Sequence, residues 1–314
     1  MTRPHVSVVI ETINARTAGA SGSFADSLAR TLEGLDHQTY PQELIERVIV
    51  LDREVAAADA NEVCRRYPSV KILSSLVSNY FAAKNVGVAA ATCDFVALLD
   101  SDCVPAPGWL EALMAAFSSG AAAVGGRSTY KDDSLYARTF SVPHFSYALA
   151  ERGGLASGFN IHNVAFRREL LLSHPFDARI RRDGGCYLLF HQLRAEGARV
   201  AHEPRALVWH GMDFRGLGFA RKHFNRGRDG VAVYQLDERA VLRGTRVLRR
   251  FGAVALVAIT GRRIIVDWLR MMRHRRQIGI PLLALPYFCA VAVVTRCIEL
   301  AGGLAAIVAQ RSHG

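Results

Sequence analysis

Three short runs of β-branched and aliphatic residues constrain this chain most: Val6-Ser7-Val8-Val9-Ile10, Arg47-Val48-Ile49-Val50-Leu51 and Phe95-Val96-Ala97-Leu98-Leu99. Each is too continuously apolar for a strand with one wet face and reads as a strand covered on both sides. Between them, Phe24, Leu28, Leu32 and Leu35 recur at helical spacing, further helices fit 56–66 and 81–91, and a short strand fits 70–73. Strands alternating with helices predict right-handed crossovers and a doubly wound, mainly parallel α/β sheet with helices on both faces. Ligands of such sheets bind beyond the carboxyl ends of the strands. Thr12, Asp52 and Asp100 each lie at or just past such an end, so one crevice can gather them from distant parts of the chain.

The third run leads into Asp100-Ser101-Asp102. Two carboxylates one residue apart at the end of a buried strand repel each other, and leaving bulk water raises the cost unless a cation joins them. Hard oxygen ligands suit Mg²⁺ or Mn²⁺, which in turn neutralise the diphosphate of a nucleotide substrate. An isolated D-x-D is more often a solvated turn, here assisted by Pro105 and Pro107. The preceding strand and the Pro107-Gly108-Trp109 entry into a helix at 109–117 favour the cation.

These segments together resemble the family-two glycosyltransferases, which have the GT-A fold. The resemblance is carried by Val6 to Thr12, by Gln38-Thr39-Tyr40-Pro41 before the second strand, by Ala83-Lys84-Asn85-Val86-Gly87, by Asp94 to Asp102, and by Pro105 with Pro107-Gly108-Trp109-Leu110. It implies that Asp102 contacts the metal and that Asp100 lies nearer the donor's ribose and the metal. It also implies that Thr12 and Asp52 approach the nucleoside, and that Lys84, with Asn85 beside it, approaches the donor phosphates or sugar. Glu11 stands where the family usually has proline; it either takes a ribose or base contact or is a buried acid paired with a nearby arginine. Asp52 is followed by Arg53-Glu54, where the family usually has another acid, glycine and serine.

Gly158-Phe159-Asn160, ahead of the segment 163–172, resembles the family's second block, in which an asparagine faces the donor sugar; Asn160 has that place here. Inverting transfer needs a general base for the acceptor hydroxyl. The family supplies it from a glutamate-aspartate pair shortly before a helix that ends in glycine. The helix is present, reaching Glu196-Gly197, but the pair is absent, and the nearest acid is Asp183 in Arg181-Arg182-Asp183-Gly184-Gly185. Asp183 either reaches the acceptor through the two glycines or pairs with Arg181 or Arg182. Downstream, the run 202–211 resembles the strand closing the family's catalytic domain, and His210 at its end is a candidate third metal ligand, imidazole being compatible with carboxylate and diphosphate oxygens. The Q-x-x-R-W signature of processive members is missing, which implies addition of one or a few sugars.

The rest of the chain differs in character. The whole chain's formal net charge of +11 is concentrated between Arg215 and Arg276, and 18 residues without charge follow from Ile278 to Thr295, interrupted by Pro281 and Pro286. No recognised nucleic-acid motif accompanies the basic segment, so the expected anionic partner is a membrane surface and not nucleic acid. One or two membrane-inserted helices, an interfacial arrangement and a buried helical subdomain are all compatible with the apolar runs. Arginines immediately before the tail place that side in the cytoplasm, and with no secretory signal at the start the expectation is a protein on the cytoplasmic face of a membrane. The six cysteines show neither C-x-x-C nor zinc-type spacing and read as reduced, mostly buried thiols. Three regions follow: 1–125, a nucleotide-sugar-binding half; 126–215, an acceptor-binding half; and 216–314, a basic helical, membrane-associating segment. The expected function is inverting, metal-assisted transfer from a nucleoside-diphosphate sugar to a lipid-linked or glycan acceptor. A nucleotidyltransferase and a catalytically lapsed membrane scaffold or binding protein remain as alternatives.

Overall fold

The computed structural model describes residues 3–17, 24–130, 134–145, 154–211 and 216–311. The polar stretch 18–23 after the first strand and Arg215 at the start of the basic segment lie outside them. The elements, in chain order, are β1 (Val6–Glu11), α1 (Ile13–Thr17), α2 (Phe24–Asp36), β2 (Ile45–Leu51), α3 (Ala57–Arg66), β3 (Lys71–Ser74), α4 (Tyr80–Ala90), β4 (Phe95–Asp100), β5 (Cys103–Pro105), α5 (Trp109–Ala116), β6 (Ala123–Tyr130) and α6 (Leu135–Phe145). They continue with β7 (Asn163–Arg167), α7 (Arg168–Ser173), α8 (Gly185–Ala195), β8 (Val200–His210), α9 (Gly216–Leu236), α10 (Thr245–Phe251), α11 (Ala253–Ile278) and α12 (Leu285–Arg311).

All eight strands form one α/β sheet of GT-A type, in the order β3-β2-β1-β4-β7-β6-β8-β5. The β3-β2-β1-β4 half is parallel, as its buried aliphatic runs require. Beyond β4 the sheet is mixed: β7 is antiparallel to both neighbours, β6 and β8 are parallel, and β5 is antiparallel to β8. Every residue of β1 is buried, and α4 lies so close that a Cβ on Gly87 would sit 2.3 Å from Val9 Cγ1. Only glycine permits that approach, which fixes the depth of α4 against the sheet. Asn79 caps α4, its side chain accepting from the Ala82 N–H at 2.8 Å. Leu28, Leu32 and Leu35 of α2 join Trp109, Leu110 and Leu113 of α5 in the apolar core beside the sheet.

The chain divides into two compact units. One comprises residues 1–131, 148–181 and 196–212 and contains the whole sheet; the other comprises 132–147, 182–195 and 213–314 and is helical. In the helical unit, Val231, Leu248, Ala255 and Leu256 form one small apolar core, and Met271, Ile280, Phe288 and Ala292 form another. Arg296 and Glu299, although within the long apolar α12, are buried with ionic partners: Arg296 pairs with Asp267 at 2.8 Å and with Glu299 at 2.7 Å, and Glu299 meets His223 at 3.0 Å. Among the described residues one helix, Leu282–Gln310, is long and apolar enough to cross a membrane by length and composition.

Candidate active site

The site grows from the turn between β4 and β5. Strand β5 pairs with the end of β8 in a register that sets Cys103 opposite His210, and the Gly211 N–H donates to the Asp102 carbonyl at 2.7 Å. A side chain on Gly211 would press within 2.8 Å of that carbonyl. The last residue of β8 is thereby held against the acidic turn, and His210 Nδ1 stands 3.7 Å from Asp102 Oδ2. The turn itself is pinned by Ser101, whose hydroxyl accepts from the Ala15 N–H at 2.9 Å and whose carbonyl accepts from Ser27 and Thr31.

The two aspartates differ in surroundings. Asp100 is buried and accepts hydrogen bonds from Asn14 Nδ2 at 2.7 Å, the Tyr80 hydroxyl at 2.7 Å and Lys84 Nζ at 2.6 Å. Burial alone would raise its pKa, but the adjacent Lys84 ammonium, assisted by the hydrogen bonds, outweighs that and holds the carboxyl at about 2. Asp100 is therefore a fixed anion whose lone pairs are largely engaged. Asp102 keeps partial exposure and lies beside His210.

Ligand atoms of Asp100, Asp102 and His210 lie within 4.8 Å of one another. Two carboxylates and an imidazole form a mixed hard set that suits Mn²⁺ or Mg²⁺ with the remaining positions left to water or phosphate oxygens, so the residues fit the cation expected from the acidic pair. His162 completes the floor of the site. Its ring centroid is 4.9 Å from that of His210, and Ser128 Oγ is 3.0 Å from its Nε2. Burial, followed by the neighbouring His210, pushes its pKa down to about 3, so the ring is neutral. The Cys103 thiol is pushed well up by burial and by the charges of Asp102 and Asp100. Contrary to the mostly buried set expected, only Cys103 and Cys186 are buried, because Cys64 of α3 and Cys297 of α12 are exposed and Cys93 and Cys289 are half-buried.

The other residues singled out in the sequence take the following places. Thr12 ties the ends of β1 and β2 together, its hydroxyl accepting from the Asp52 N–H at 2.8 Å and donating to the Val50 carbonyl at 3.2 Å. Asp52 is buried and accepts from Ser78 Oγ at 3.2 Å. Glu11 is fully buried and accepts from the Ile13 N–H at 2.7 Å. Lys84 is also fully buried: its ammonium is held by the Leu99 carbonyl and by Asp100, each at 2.6 Å. It serves here as the counterion of Asp100. Asn85 exchanges hydrogen bonds with the Phe176 backbone at 2.8 and 3.0 Å and so joins α4 to the segment after α7. Asn160 is buried in a bridge with Asn163, and its Nδ2 has no hydrogen-bond partner among the described residues.

Three residues of the site were not apparent as such from the sequence: Asn14, Tyr80 and Asn163. Asn163 is a hub, accepting from Trp109 Nε1 at 2.8 Å and donating to the carbonyls of Arg127 at 2.7 Å and Ala206 at 3.0 Å. A Cβ on Gly126 would collide with it at 2.3 Å. Asn163 thus locks β6, β7, β8 and α5 together under the acidic turn.

Asp183 belongs to the helical unit. It is half-buried in the loop before α8, next to Gly184, whose φ of +94° favours glycine. Its N–H donates to Asp229 Oδ2 at 3.2 Å, so a carboxylate of α9, remote in sequence, stands beside it.

The comparisons with known proteins agree with this sheet topology and with the acidic turn at the carboxyl end of a central parallel strand. Residues 7–173 match the model of the family described as Glycosyl transferase family 2, and the chain belongs to that family. It is similar to the pre-mycofactocin glycosyltransferase of two strains of Mycobacterium tuberculosis, with 32% identity over 212 residues, covering 58% of this chain and 44% of that protein. The chain thus spans less than half the length of these relatives. Its fold is shared by a mannosyltransferase of Pyrobaculum calidifontis, PcManGT, solved in complex with GDP-Man and Mn²⁺. The TM-score is 0.64 at 16% identity, and the alignment covers 98% of this chain and 88% of the other.

Proposed function

We propose that this glycosyltransferase moves a sugar, with inversion, from a nucleoside-diphosphate donor to a glycan or lipid-linked acceptor, adding one or a few units. The observation that carries the proposal is the convergence of Asp100, Asp102 and His210, contributed by two strands distant in sequence, at the carboxyl end of β4. Asp102 and His210 hold Mn²⁺ or Mg²⁺, with Asp100 behind them. When bound there, the cation neutralises the diphosphate leaving group. Tyr80, Asn14 and Lys84 keep the Asp100 carboxylate charged and oriented, so the site is preorganised at no cost during the reaction. Asp52 and Thr12 receive the nucleoside at the ends of β2 and β1, with Glu11 buried next to them. Asn160 turns its amide toward the donor sugar.

Asp183 takes the proton of the acceptor hydroxyl, and Asp229, by accepting from the Asp183 backbone, fixes the loop that presents it. In this reading the acidic pair that is missing from the sequence is reassembled in space from two elements. The helical unit lies on the cytoplasmic face of an anionic membrane. Support comes from α11, which exposes Val254, Ile265, Trp268, Leu269 and Met272, and from Leu283, 97% exposed at the turn into α12, all in arginine-rich surroundings. The buried pairing of Arg296 and Glu299 within α12 supports an interfacial unit and not a lone spanning helix.

The experiment is a panel of nucleotide sugars incubated with the protein in Mn²⁺ or in a chelator, scored for nucleoside diphosphate release. Slow, Mn²⁺-dependent release from one donor supports the proposal. Release of pyrophosphate in a parallel reaction supplied with a nucleoside triphosphate and a sugar 1-phosphate would favour a nucleotidyltransferase, and no turnover or binding with any donor would favour a scaffold.

A further inference from the structure

A second set of donors lies beside the acidic turn. Ligand atoms of Cys103, His162 and His210, all three buried, lie within 4.8 Å of one another. The β5–β8 register sets Cys103 opposite His210, and the Asn160–Asn163 turn carries His162 to the same place, with ring centroids of the two histidines 4.9 Å apart. Asp102 Oδ1 is 3.7 Å from Cys103 Sγ, so a carboxylate lies within reach of a fourth position.

This donor set is chemically unlike the acidic one. Once a Zn²⁺ ion displaces the Cys103 proton to solvent, the thiolate with two imidazoles matches that metal, which takes Cys sulfur at about 2.3 Å and His nitrogen at about 2.0–2.1 Å in tetrahedral geometry. Mg²⁺ and Mn²⁺ prefer oxygen. The Ser128 hydroxyl on Nε2 of His162 orients that ring as outer partners of metal-ligating histidines do. Neither the spacing of Cys103 from the histidines in the sequence nor a C-x-x-C pattern announces the set, because it forms only when β5, β7 and β8 come together.

We propose that Cys103, His162 and His210 form a Zn²⁺ site that excludes the acid-pair cation, because both sites draw on His210. Zn²⁺ occupancy then takes His210 away from Asp102 and switches the transferase off. The switching half of this inference rests on the Mn²⁺ reading given above, whereas the soft-metal site itself does not.

The test uses the full chain freed of metal by a chelator and titrated with Co²⁺, whose bond to a thiolate gives a charge-transfer band in the near ultraviolet. The wild type should show the band, Zn²⁺ should bleach it, and Asp102→Asn should retain it. Cys103→Ala should abolish it. His162→Gln, which leaves the thiol in place, should weaken Zn²⁺ binding by more than the ~10–100-fold that follows loss of an outer-shell partner. In parallel, Zn²⁺ should suppress Mn²⁺-supported transfer by the wild type but not by Cys103→Ala. No band in the wild type, or an undiminished band in Cys103→Ala, overturns the site. A band with transfer untouched by Zn²⁺ overturns the switch. If Mn²⁺ supports no transfer but the band behaves as stated, the cation reading has failed and the soft site stands.

Discussion

Replacement of Lys84 by methionine isolates the electrostatic contact on which the acidic turn rests. The ammonium is fully buried, 2.6 Å from Asp100 Oδ1 and 2.6 Å from the Leu99 carbonyl. Methionine nearly preserves the volume and removes the charge, leaving Asp100 buried with Tyr80 and Asn14 as donors. Depression of the Asp100 pKa from 3.8 to about 2 corresponds to ~2 kcal/mol in favour of the anion, net of the burial that opposes it. Once the ammonium is gone the burial remains, so the loss is larger, in the ~3–5 kcal/mol range for breaking a buried pair from one side. For a unit of this size that lowers the melting temperature by about 10 °C. The double variant Lys84→Met/Asp100→Asn should recover much of the loss, because no unpaired buried charge is left. Differential scanning calorimetry of wild type, single and double variants at neutral pH measures this. A single variant that melts within about a degree of wild type, or a double variant no better than the single, refutes the reasoning.

Other consequences follow from the same geometry. Asp183→Asn should leave nucleotide-sugar affinity unchanged in calorimetry yet slow single-turnover transfer by the ~10²–10⁴-fold of a lost general base; wild-type turnover would remove the assignment. Because His162 has its pKa pushed down to about 3, the unfolded chain gains a proton as pH falls below about 6.5 that the folded ring refuses. Stability should therefore decline across that window, and His162→Gln should flatten the decline in a pH series of thermal melts. A slope unchanged by the substitution would count against a buried neutral ring. Trp268→Glu with Leu283→Asp should shift the protein from anionic vesicles to the supernatant in co-sedimentation while leaving its circular dichroism intact, and unaltered partition would locate membrane contact elsewhere.

What the sequence could and could not disclose has a physical basis. Strands β1, β2 and β4 were legible because burial on both faces demands continuous aliphatic runs, and the carboxyl ends of those strands located Thr12, Asp52 and Asp100. The role of Lys84 was not legible: its direction depends on the depth of α4, which is set by the contact of Gly87 with Val9. Nor could the pairing of β5 with β8, which brings His210 and Cys103 together, be read from spacing, since register across distant strands leaves no local periodicity. Asn163 and Tyr80 escaped notice for the same reason, as polar residues that matter only through partners far along the chain. In the tail, the apolar runs were apparent, but Arg296 and Glu299 acquire their meaning from Asp267 and His223 on other helices.

The central claim is that Asp102 and His210 hold a divalent cation for a nucleotide-sugar donor. Titration calorimetry of the full chain with a nucleoside diphosphate, with and without Mn²⁺, tests it most directly when wild type and Asp102→Asn are compared. The account predicts tight, Mn²⁺-dependent binding by the wild type, and loss of the Mn²⁺ dependence in a variant that retains the wild-type melting profile. Binding by Asp102→Asn with undiminished Mn²⁺ dependence would contradict it.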